Sequence, residues 1–446
     1  MVRIADYLSE LASNDYIDVG LYDKYNVKRG LRNADGSGVL VGLTRVGEVH
    51  GYIMIEGEKQ AIDGKLFYRG IDVEDIVAAA AREKRFAFEE VVYLLMFGKL
   101  PAHAQLEQFR ILMGENRSLP TYFRRDHIMK APSKDIMNKL AQSVLTLYSF
   151  DKKAEDRSPE NILRQCIELI SRFPAIVAYS YMAKKHYLDK DSLIIHEPNP
   201  AQNTAETILS LIRPDRRFSR LEAETLDLAL VLHAEHGGGN NSTFAVHLIS
   251  SADTDTYSSI AAGIGSLKGY KHGGANTKVS AMMEDIKQHV KNWDDDAEVE
   301  AYLEKILKGE AYDRTGLIYG QGHAVYTKSD PRAVLLRDKA AQLANEKQFM
   351  DEFNLYTRIE RLVPLVFKRV KDSDKEICTN VDFYSGFVYS MLGIPSELYT
   401  PIFAVSRVAG WCAHRMEEAV TGGRIIRPAY KCVQKHLPYP SRSERE

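Results

Sequence analysis

The chain has 446 residues, of which 45% are hydrophobic and 27% are charged, and its formal net charge is −2. This composition is typical of a globular protein that is long enough to bury a large core. Because the charges nearly balance, there is no overall basic field of the kind that attracts nucleic acid, and we expect anions to bind only at local sites.

The cysteines and the N-terminus indicate the compartment. The cysteines are scattered and form no CxxC pair, so neither a disulfide framework nor a cysteine zinc site is indicated, and a reducing compartment fits. The N-terminus has no apolar signal core and contains the early acidic residues Asp6, Glu10 and Asp15. No apolar run is long enough to cross a bilayer. We therefore expect a cytoplasmic protein with no membrane partner.

The N-terminal part of the chain contains the main β pattern of the sequence. An amphipathic helix is predicted at Ile4–Leu11, and an irregular arm rich in Gly, Asn and Asp at 28–42. In residues 50–62, alternating apolar residues on either side of Glu56-Gly57-Glu58 predict a β-hairpin. The next segment changes to a helical pattern, which Asp72 is placed to cap.

Beyond the hairpin, almost every segment has a helical pattern, with apolar residues at intervals of three to four. The predicted helices are Phe88–Phe97, Ala102–Gly114, Ile136–Ser149, Glu160–Tyr187, Thr204–Ile212 and Glu222–His236. Pro174 is expected to kink or interrupt the fourth of these. Shorter and more highly charged helices are predicted at Lys278–Val290, Ala297–Lys308, Ala333–Lys347 and Leu355–Arg369.

This change of character predicts a mainly α fold with two domains. Residues 1–274 form a large domain with an N-terminal arm, 275–388 form a smaller helical domain, and 389–446 return to the large domain. The crossings lie beside His272 and Asp382. Binding sites favour clefts between domains, so we expect the functional site there.

The motif HAEHGGGNN begins with His233 and His236, which are three residues apart and can lie on one helix face. A metal site would need a further ligand, and HEXXH is absent, so we predict no metal. The glycines at 237–239 are expected to end the helix and let a ligand approach the backbone. This favours substrate binding by His236 and a structural role for His233.

Three later motifs contain groups suited to proton transfer beside a carbonyl. His272 lies in KHGGAN, His323 and Arg332 in YGQGHAVYTKSDPR, and Asp382 in NVDFYSGF. Two histidines, an isolated carboxylate and arginines can form a carbanion and hold an acidic substrate. Structural alternatives are a turn histidine for His272 and a helix cap for Asp382. Desolvation would raise the pKa of Asp382 and make it a stronger base.

The remaining polar motifs are less specific. Gly320 and Gly322 superficially resemble a dinucleotide fingerprint, but no long strand precedes them; their N–H groups could still meet adenine or phosphate. Arg407 lies in an apolar helix, where an unpaired charge is costly, and is expected to have an anionic partner. Lys328 is equally well explained as a solvated charge, and the alternative for Arg427, near the C-terminus, is placement on the surface.

Together, HAEHGGGNNSTF, GYKHGGAN, GQGHAVYTKSDPR, NVDFYSGF and SRVAGW resemble the motifs of the citrate synthase family in order and spacing, over roughly residues 45–430. The resemblance implies a mainly α fold with a large and a smaller helical domain, a short N-terminal β-hairpin, and an obligate homodimer with a shared active site. Higher oligomers stay open.

The implied reaction condenses acetyl-CoA with oxaloacetate and water to give citrate and CoA, through enolisation, aldol-type addition and thioester hydrolysis. Acetyl-CoA is then a co-substrate, no cofactor is tightly bound, and the enzyme belongs to the tricarboxylic acid cycle.

The resemblance also assigns residues. The catalytic trio is His272, His323 and Asp382. The oxaloacetate ligands are His236, His323, Arg332, Arg407 and Arg427, the last contributed to the other subunit's site. Acetyl-CoA would lie against Ile318, Gly320, Gly322 and Ala324. The position after Tyr326, often basic in this family, is Thr327 here, so Lys328 or Lys375 is expected to contact the CoA phosphates.

Three alternatives remain. A 2-methylcitrate synthase, which uses propionyl-CoA, shares the trio, and a pocket one methylene larger changes selectivity by only ~1–3 kcal/mol. Phe383-Tyr384 after Asp382 is more similar to citrate synthases. A citrate-cleaving lyase shares the reverse chemistry, but no ligase domain is attached. A non-catalytic acyl-CoA-binding or scaffold protein would not need the intact trio and arginines.

Overall fold

The described residues of the chain fall into two units. A computed structural model describes residues 3–8, 11, 15–33, 36–55, 58–373 and 376–445. The units are Met1–Thr44 and Arg45–Glu446. In the first unit, the helix predicted at Ile4–Leu11 is a 3-10 helix over Ile4–Tyr7, and residues 9 and 10 lie outside the described residues. The unit also contains helix α1, Gly20–Lys24, and a 3-10 turn at Arg29–Leu31.

The second unit begins with the predicted β-hairpin, which is longer than the sequence indicated. Its strands are antiparallel in the order β1-β2-β3, and their bounds are Gly47–Ile55, Glu58–Tyr68 and Ile71–Asp72. Gly47 lies opposite Tyr68. The predicted turn residues Glu56 and Gly57 lie outside the described residues.

The rest of the second unit is mainly α-helical, which confirms the predicted fold class. The helices are α2 (Val73–Glu83), α3 (Phe88–Phe97), α4 (His103–Glu115), α5 (Ile136–Leu147), α6 (Pro159–Tyr187), α7 (Thr204–Ile212), α8 (Arg220–His233), α9 (Asn241–Ser250), α10 (Thr256–Lys268), α11 (Ala275–His289), α12 (Asp296–Leu307), α13 (Pro331–Lys347), α14 (Met350–Lys371), α15 (Val381–Met391) and α16 (Tyr399–Thr421). Short 3-10 or π-helical turns lie at Arg124–Met129, Tyr148–Phe150, Ser396–Leu398 and Arg442–Glu444.

Asp72 accepts a hydrogen bond from Glu74 N–H and caps α2, as predicted. Within the described parts of the chain, none of the helices combines the length and apolar composition needed to cross a bilayer. The division of the second unit into a large domain, a small domain and a returning segment stays a prediction.

Helix α6 continues through Pro174, so the interruption that the sequence allowed there does not occur. It runs for 29 residues from Pro159 to Tyr187. Proline removes one backbone N–H, but Phe173, Pro174 and Ala175 are buried in the core. Packing of this segment, including its contact with α16, outweighs the single missing hydrogen bond.

Helix α8 ends at His233, so the expectation that His233 and His236 share one helix face is wrong. Gly237 has a φ of +79°, which turns the chain away from the helix. The Asn240 side chain then accepts from Ser242 N–H and starts α9. His233 is therefore buried at the end of α8, whereas His236 lies in the turn that follows.

The hairpin packs closely on the loop that precedes α13. Gly64 N–H donates to Ser329 Oγ over 3.2 Å. A β-carbon at Gly51 would fall well inside contact distance of the Val325 carbonyl oxygen. Because both glycines allow backbone to approach backbone, the hairpin supports the loop that contains His323.

We expect Gly51→Ala to lower the free energy of unfolding by about 1–3 kcal/mol, because the added methyl group must push the two backbones apart. Gly265→Ala is the matched control, since nothing lies within 4 Å of a β-carbon there and the residue is in helix α10. It should stabilise by about 0.5–1 kcal/mol. Thermal denaturation of both variants gives the comparison, and an unchanged Tm for Gly51→Ala would contradict the close packing.

Candidate active site

Two loops of the candidate site are joined by hydrogen bonds. Gly322 N–H donates to the Cys378 carbonyl over 2.7 Å, and Asn380 N–H donates to the Gly320 carbonyl over 2.9 Å. The Asn380 side chain accepts from Asp382 N–H over 3.0 Å and caps α15. Asn380, and not Asp382, is therefore the helix cap, which removes the structural alternative for Asp382.

Asp382 lies in the first turn of α15, among charged neighbours. Burial raises the pKa of Asp382 to about 6, while Arg332 and Arg407 lower it and Asp330 raises it further. The carboxylate is thus mainly ionised at neutral pH, yet it is a stronger base than an exposed aspartate.

His323 is held in one tautomer by the backbone. Its Nδ1 accepts hydrogen bonds from the N–H groups of Val325 and Tyr326, each over 3.1 Å. The proton of the neutral ring therefore sits on Nε2, which makes Nε2 a hydrogen-bond donor. The ring stacks on Tyr326 with a centroid separation of 4.7 Å.

His236 lies beside His323, with ring centroids 5.2 Å apart. Its Nε2 is buried without a hydrogen-bond partner. Burial lowers the pKa of His236 well below its usual range, and the positive charges of Arg332 and Arg407 add to this effect. The structure thus brings these two predicted residues together, with a neutral His236 ring that has an open nitrogen.

His272 lies in the turn between α10 and α11. Its Nε2 is 3.2 Å from Asn240 Oδ1 and 3.2 Å from Ser242 Oγ. Burial lowers the pKa of His272 to about 4, and Arg407 contributes. The ring is therefore neutral at pH 7. Sequence reasoning assigned no role to Asn240 or Ser242, although an Asn-Asn-Ser run before a helix is an N-cap signal.

Arg407 is the most unusual group of the site. It is 0% exposed, and its Nε donates to the His233 carbonyl over 2.6 Å. Both terminal nitrogens, Nη1 and Nη2, are buried without a hydrogen-bond partner. Burial lowers the pKa of Arg407 to about 10, so it stays charged at neutral pH. A buried cation with two open donors has the charge and the geometry to accept a carboxylate.

Arg332 already has an internal partner. Its Nε and Nη2 donate to the two oxygens of Asp330 over 3.0 and 2.8 Å. Asp330 is fully buried and also accepts from Val381 N–H over 3.2 Å, which ties α13 to the start of α15. Sequence reasoning missed Asp330, although an Asp-Pro pair at a helix start is a capping signal.

The remaining predicted residues are more dispersed. Arg427 and Lys328 are exposed, and among the described residues Arg427 forms no hydrogen bond or ion pair with the site. Lys375 lies outside the described residues. In the loop predicted to bind acetyl-CoA, Ile318 is buried, Ala324 is exposed, and Gly320 and Gly322 have φ values of +80° and +85°.

Across the part of the chain that the structure describes, no group of three or more His, Cys, Asp or Glu side chains is arranged to hold a metal ion.

Comparisons with known proteins show the family of the chain. The family model for the citrate synthase C-terminal domain matches residues 36–429. The citrate synthase of Synechocystis sp. is 34% identical over 385 residues, which cover 86% of this chain and 89% of that protein. A 2-methylcitrate synthase of Shewanella oneidensis is 31% identical over 390 residues, covering 84% and 92% of the two chains.

Solved structures show the same fold. A ternary complex of carboxymethyl coenzyme A and oxaloacetate with citrate synthase from Thermoplasma acidophilum has a TM-score of 0.74 and 26% identity. The similarity covers 94% of this chain and 99% of that chain. The matched family model spans most of the chain, and the motifs that form the site lie within it. The chain belongs to the citrate synthase family.

Proposed function

We propose that this enzyme condenses acetyl-CoA with oxaloacetate and water to give citrate and CoA. The observation that carries the proposal is Arg407, whose two open nitrogens lie in a buried site with neutral histidines and a carboxylate of raised pKa. A small anion with a carboxylate and a polarisable carbonyl suits these groups. The Synechocystis relative and the ternary complex support oxaloacetate as that anion.

Oxaloacetate binds through its carboxylates and its ketone. Arg407 takes one carboxylate with its two terminal nitrogens, and Arg332 contributes Nη1, because its bonds to Asp330 use Nε and Nη2. His236 orients the substrate through its open Nε2. The Nε2–H of His323 donates to the ketone oxygen, since Nδ1 is occupied by two backbone N–H groups. This polarises the carbon that is attacked.

Asp382 and His272 together convert acetyl-CoA to its enolate. The ionised Asp382 carboxylate removes a methyl proton, and its raised pKa brings it closer to the operating pH. Because His272 is neutral, it can stabilise the enolate oxygen only as a neutral hydrogen-bond donor. This role requires the proton of the neutral ring to be on Nδ1, with Nε2 accepting from the Ser242 hydroxyl 3.2 Å away, which holds the ring in place.

Carbon–carbon bond formation turns the ketone oxygen into an alkoxide. His323 protonates this oxygen from Nε2, and water then hydrolyses the citryl thioester to release citrate and CoA. The loop with Ile318, Gly320, Gly322 and Ala324 would contact acetyl-CoA, with Lys328 or Lys375 near its phosphates. Closure of residues 275–388 onto the large domain would exclude water from the enolate.

Thiol release from acetyl-CoA in the presence of oxaloacetate tests the reaction. We expect release that depends on oxaloacetate and a higher kcat/KM with acetyl-CoA than with propionyl-CoA. The 2-methylcitrate synthase relative makes this comparison necessary. A higher kcat/KM with propionyl-CoA would assign the enzyme to that activity instead. No release from either thioester would overturn the proposal in favour of a non-catalytic acyl-CoA-binding protein.

The pH profile tests Asp382 as the base. Its ionised form is the active one, so kcat/KM should fall as pH decreases through about 6, the raised pKa of Asp382. An unperturbed aspartate would lose activity nearer pH 4. Asp382→Ala should lower kcat by about 10²–10⁴, while the exposed Asp338→Ala serves as the control. Near-normal kcat in Asp382→Ala, or a flat profile through pH 6, would exclude this role.

We further propose a homodimer in which Arg427 completes the partner's oxaloacetate site. Arg427 is exposed in a single chain, so its side chain is accessible to a partner subunit. Mixed dimers of an Arg427→Ala subunit and an Asp382→Ala subunit should regain activity that neither parent dimer has, because one shared site stays intact. Complete inactivity of the verified mixed dimer would contradict sharing.

For the compartment, we propose the reducing cytoplasm, since the four cysteines are free thiols. Cell fractionation would test this location.

A further inference from the structure

The face of helix α16 that contains Arg407 also contains a glycine and a histidine that contact a buried carboxylate. Gly410 and His414 follow Arg407 at intervals of three and four residues, which places all three on the same side of the helix. His414 is 2% exposed. The carboxylate of Glu235, in the turn after α8, lies against this face.

Glu235 is held between Gly410 and His414. Its Oε1 lies 3.1 Å from His414 Nε2, and its side chain is 0% exposed. A β-carbon at Gly410 would collide with its other oxygen, Oε2, so the glycine leaves the space that the carboxylate occupies. Gly410 N–H also donates to the Ala234 carbonyl over 3.2 Å. The turn and the helix are thus joined on both sides of the carboxylate.

Glu235 and Arg407 attract each other but are not paired. Among the charged neighbours of Arg407, Glu235 raises its pKa the most and therefore favours the charged guanidinium. Burial opposes ionisation of Glu235, yet His414, Arg407 and the backbone N–H of Gly237 lower its pKa below the usual range. Even so, Glu235 Oε2 and both terminal nitrogens of Arg407 are buried without hydrogen-bond partners. Two opposite buried charges would form a salt bridge if the side chains were free to meet.

We propose that His414 holds Glu235 away from Arg407, so that the guanidinium stays open to a carboxylate of the substrate. Glu235 is then an internal competitor for the substrate site, and His414 is a positioning residue that occupies it. This inference rests on the proposed function, in which Arg407 binds oxaloacetate.

Other groups around Arg407 do not replace His414. Tyr68, Arg332 and Asp382 also act on the charge of Arg407. Tyr68 donates to the Val231 carbonyl over 2.8 Å, and Arg332 is paired with Asp330. The other ring nitrogen of His414, Nδ1, lies 3.8 Å from Glu417 Oε2, a distance for charge attraction and not for a hydrogen bond. Of these residues, only His414 bonds the Glu235 carboxylate through its side chain, and the backbone N–H of Gly237 adds to this bond from the turn itself.

The test compares His414→Ala, His414→Gln, Glu235→Gln and the double variant His414→Ala/Glu235→Gln. The exposed His103→Ala is the control. Oxaloacetate binding is measured by calorimetry, and kcat and KM by thiol release, on protein whose fold is checked by circular dichroism. If His414→Ala does not fold, His414→Phe keeps the ring volume and removes the donor.

We expect His414→Ala to weaken oxaloacetate binding by about 10- to 100-fold, the range for losing a hydrogen bond to a charged group. The kcat at saturating oxaloacetate should change much less, because the substrate can still displace Glu235. Glu235→Gln should not weaken binding, since an amide competes poorly for Arg407. The double variant should bind as Glu235→Gln does, and His414→Gln, which keeps a donor, should stay close to the unchanged protein.

Two results would overturn the inference. A double variant that binds as weakly as His414→Ala would show that His414 acts through packing. A Glu235→Gln variant as weak as His414→Ala would show that the charge of Glu235 assists binding. Failure of the unchanged protein to bind oxaloacetate would instead overturn the proposed function.

Discussion

A fully buried arginine with two open donors is the constraint around which the site is arranged. Arg407 is 0% exposed, and its charge acts on His236, His272, Asp382 and Glu235. In a low-dielectric interior, such a charge keeps nearby imidazoles neutral and opposes the rise in the pKa of a buried carboxylate. One cation therefore favours neutral hydrogen-bonding histidines and an ionised base in the same cavity. A substrate carboxylate would satisfy the open nitrogens, so the cost of burying Arg407 is offset when the anion binds.

The histidines His236, His272 and His323 near this arginine lie on loops or turns, and other elements hold these segments in place. The hairpin supports the loop of His323 through close backbone contact at Gly51 and Gly64. Asn380 joins the loop of Gly320 and Gly322 to the start of α15. Asp330 links α13 to that same helix start. Each link is a hydrogen bond or a glycine contact, which fixes atoms more closely than apolar packing alone. Such support gives donors and bases the geometry that catalysis requires before a substrate arrives.

Much of this arrangement could be predicted from the sequence. Apolar spacing predicted most helices to within a few residues. Of the residues that the motifs singled out, the structure brings His236 beside His323 and places Arg332 and Arg407 near Asp382, whereas Arg427 is exposed; the roles of all of them stay predictions. The predictions failed where packing outweighs local preference. Pro174 does not interrupt α6, because a buried helix tolerates one missing hydrogen bond. The end of α8 fell three residues earlier than predicted, because the positive φ of Gly237 turns the chain after His233. His236 therefore points from a turn, and not from a helix face.

The sequence by itself determined the fold class, the family and the types of group proposed to perform the chemistry, because periodicity and motif order are local and readable along the chain. Only the tertiary structure decided which of these groups have partners. Arg332 is paired with Asp330, whereas Arg407 keeps two nitrogens open. It also decided that Glu235 bonds His414, 179 residues away in the chain. Charge and hydrogen bonding depend on distance in space and on burial, and neither quantity can be read from the order of the residues.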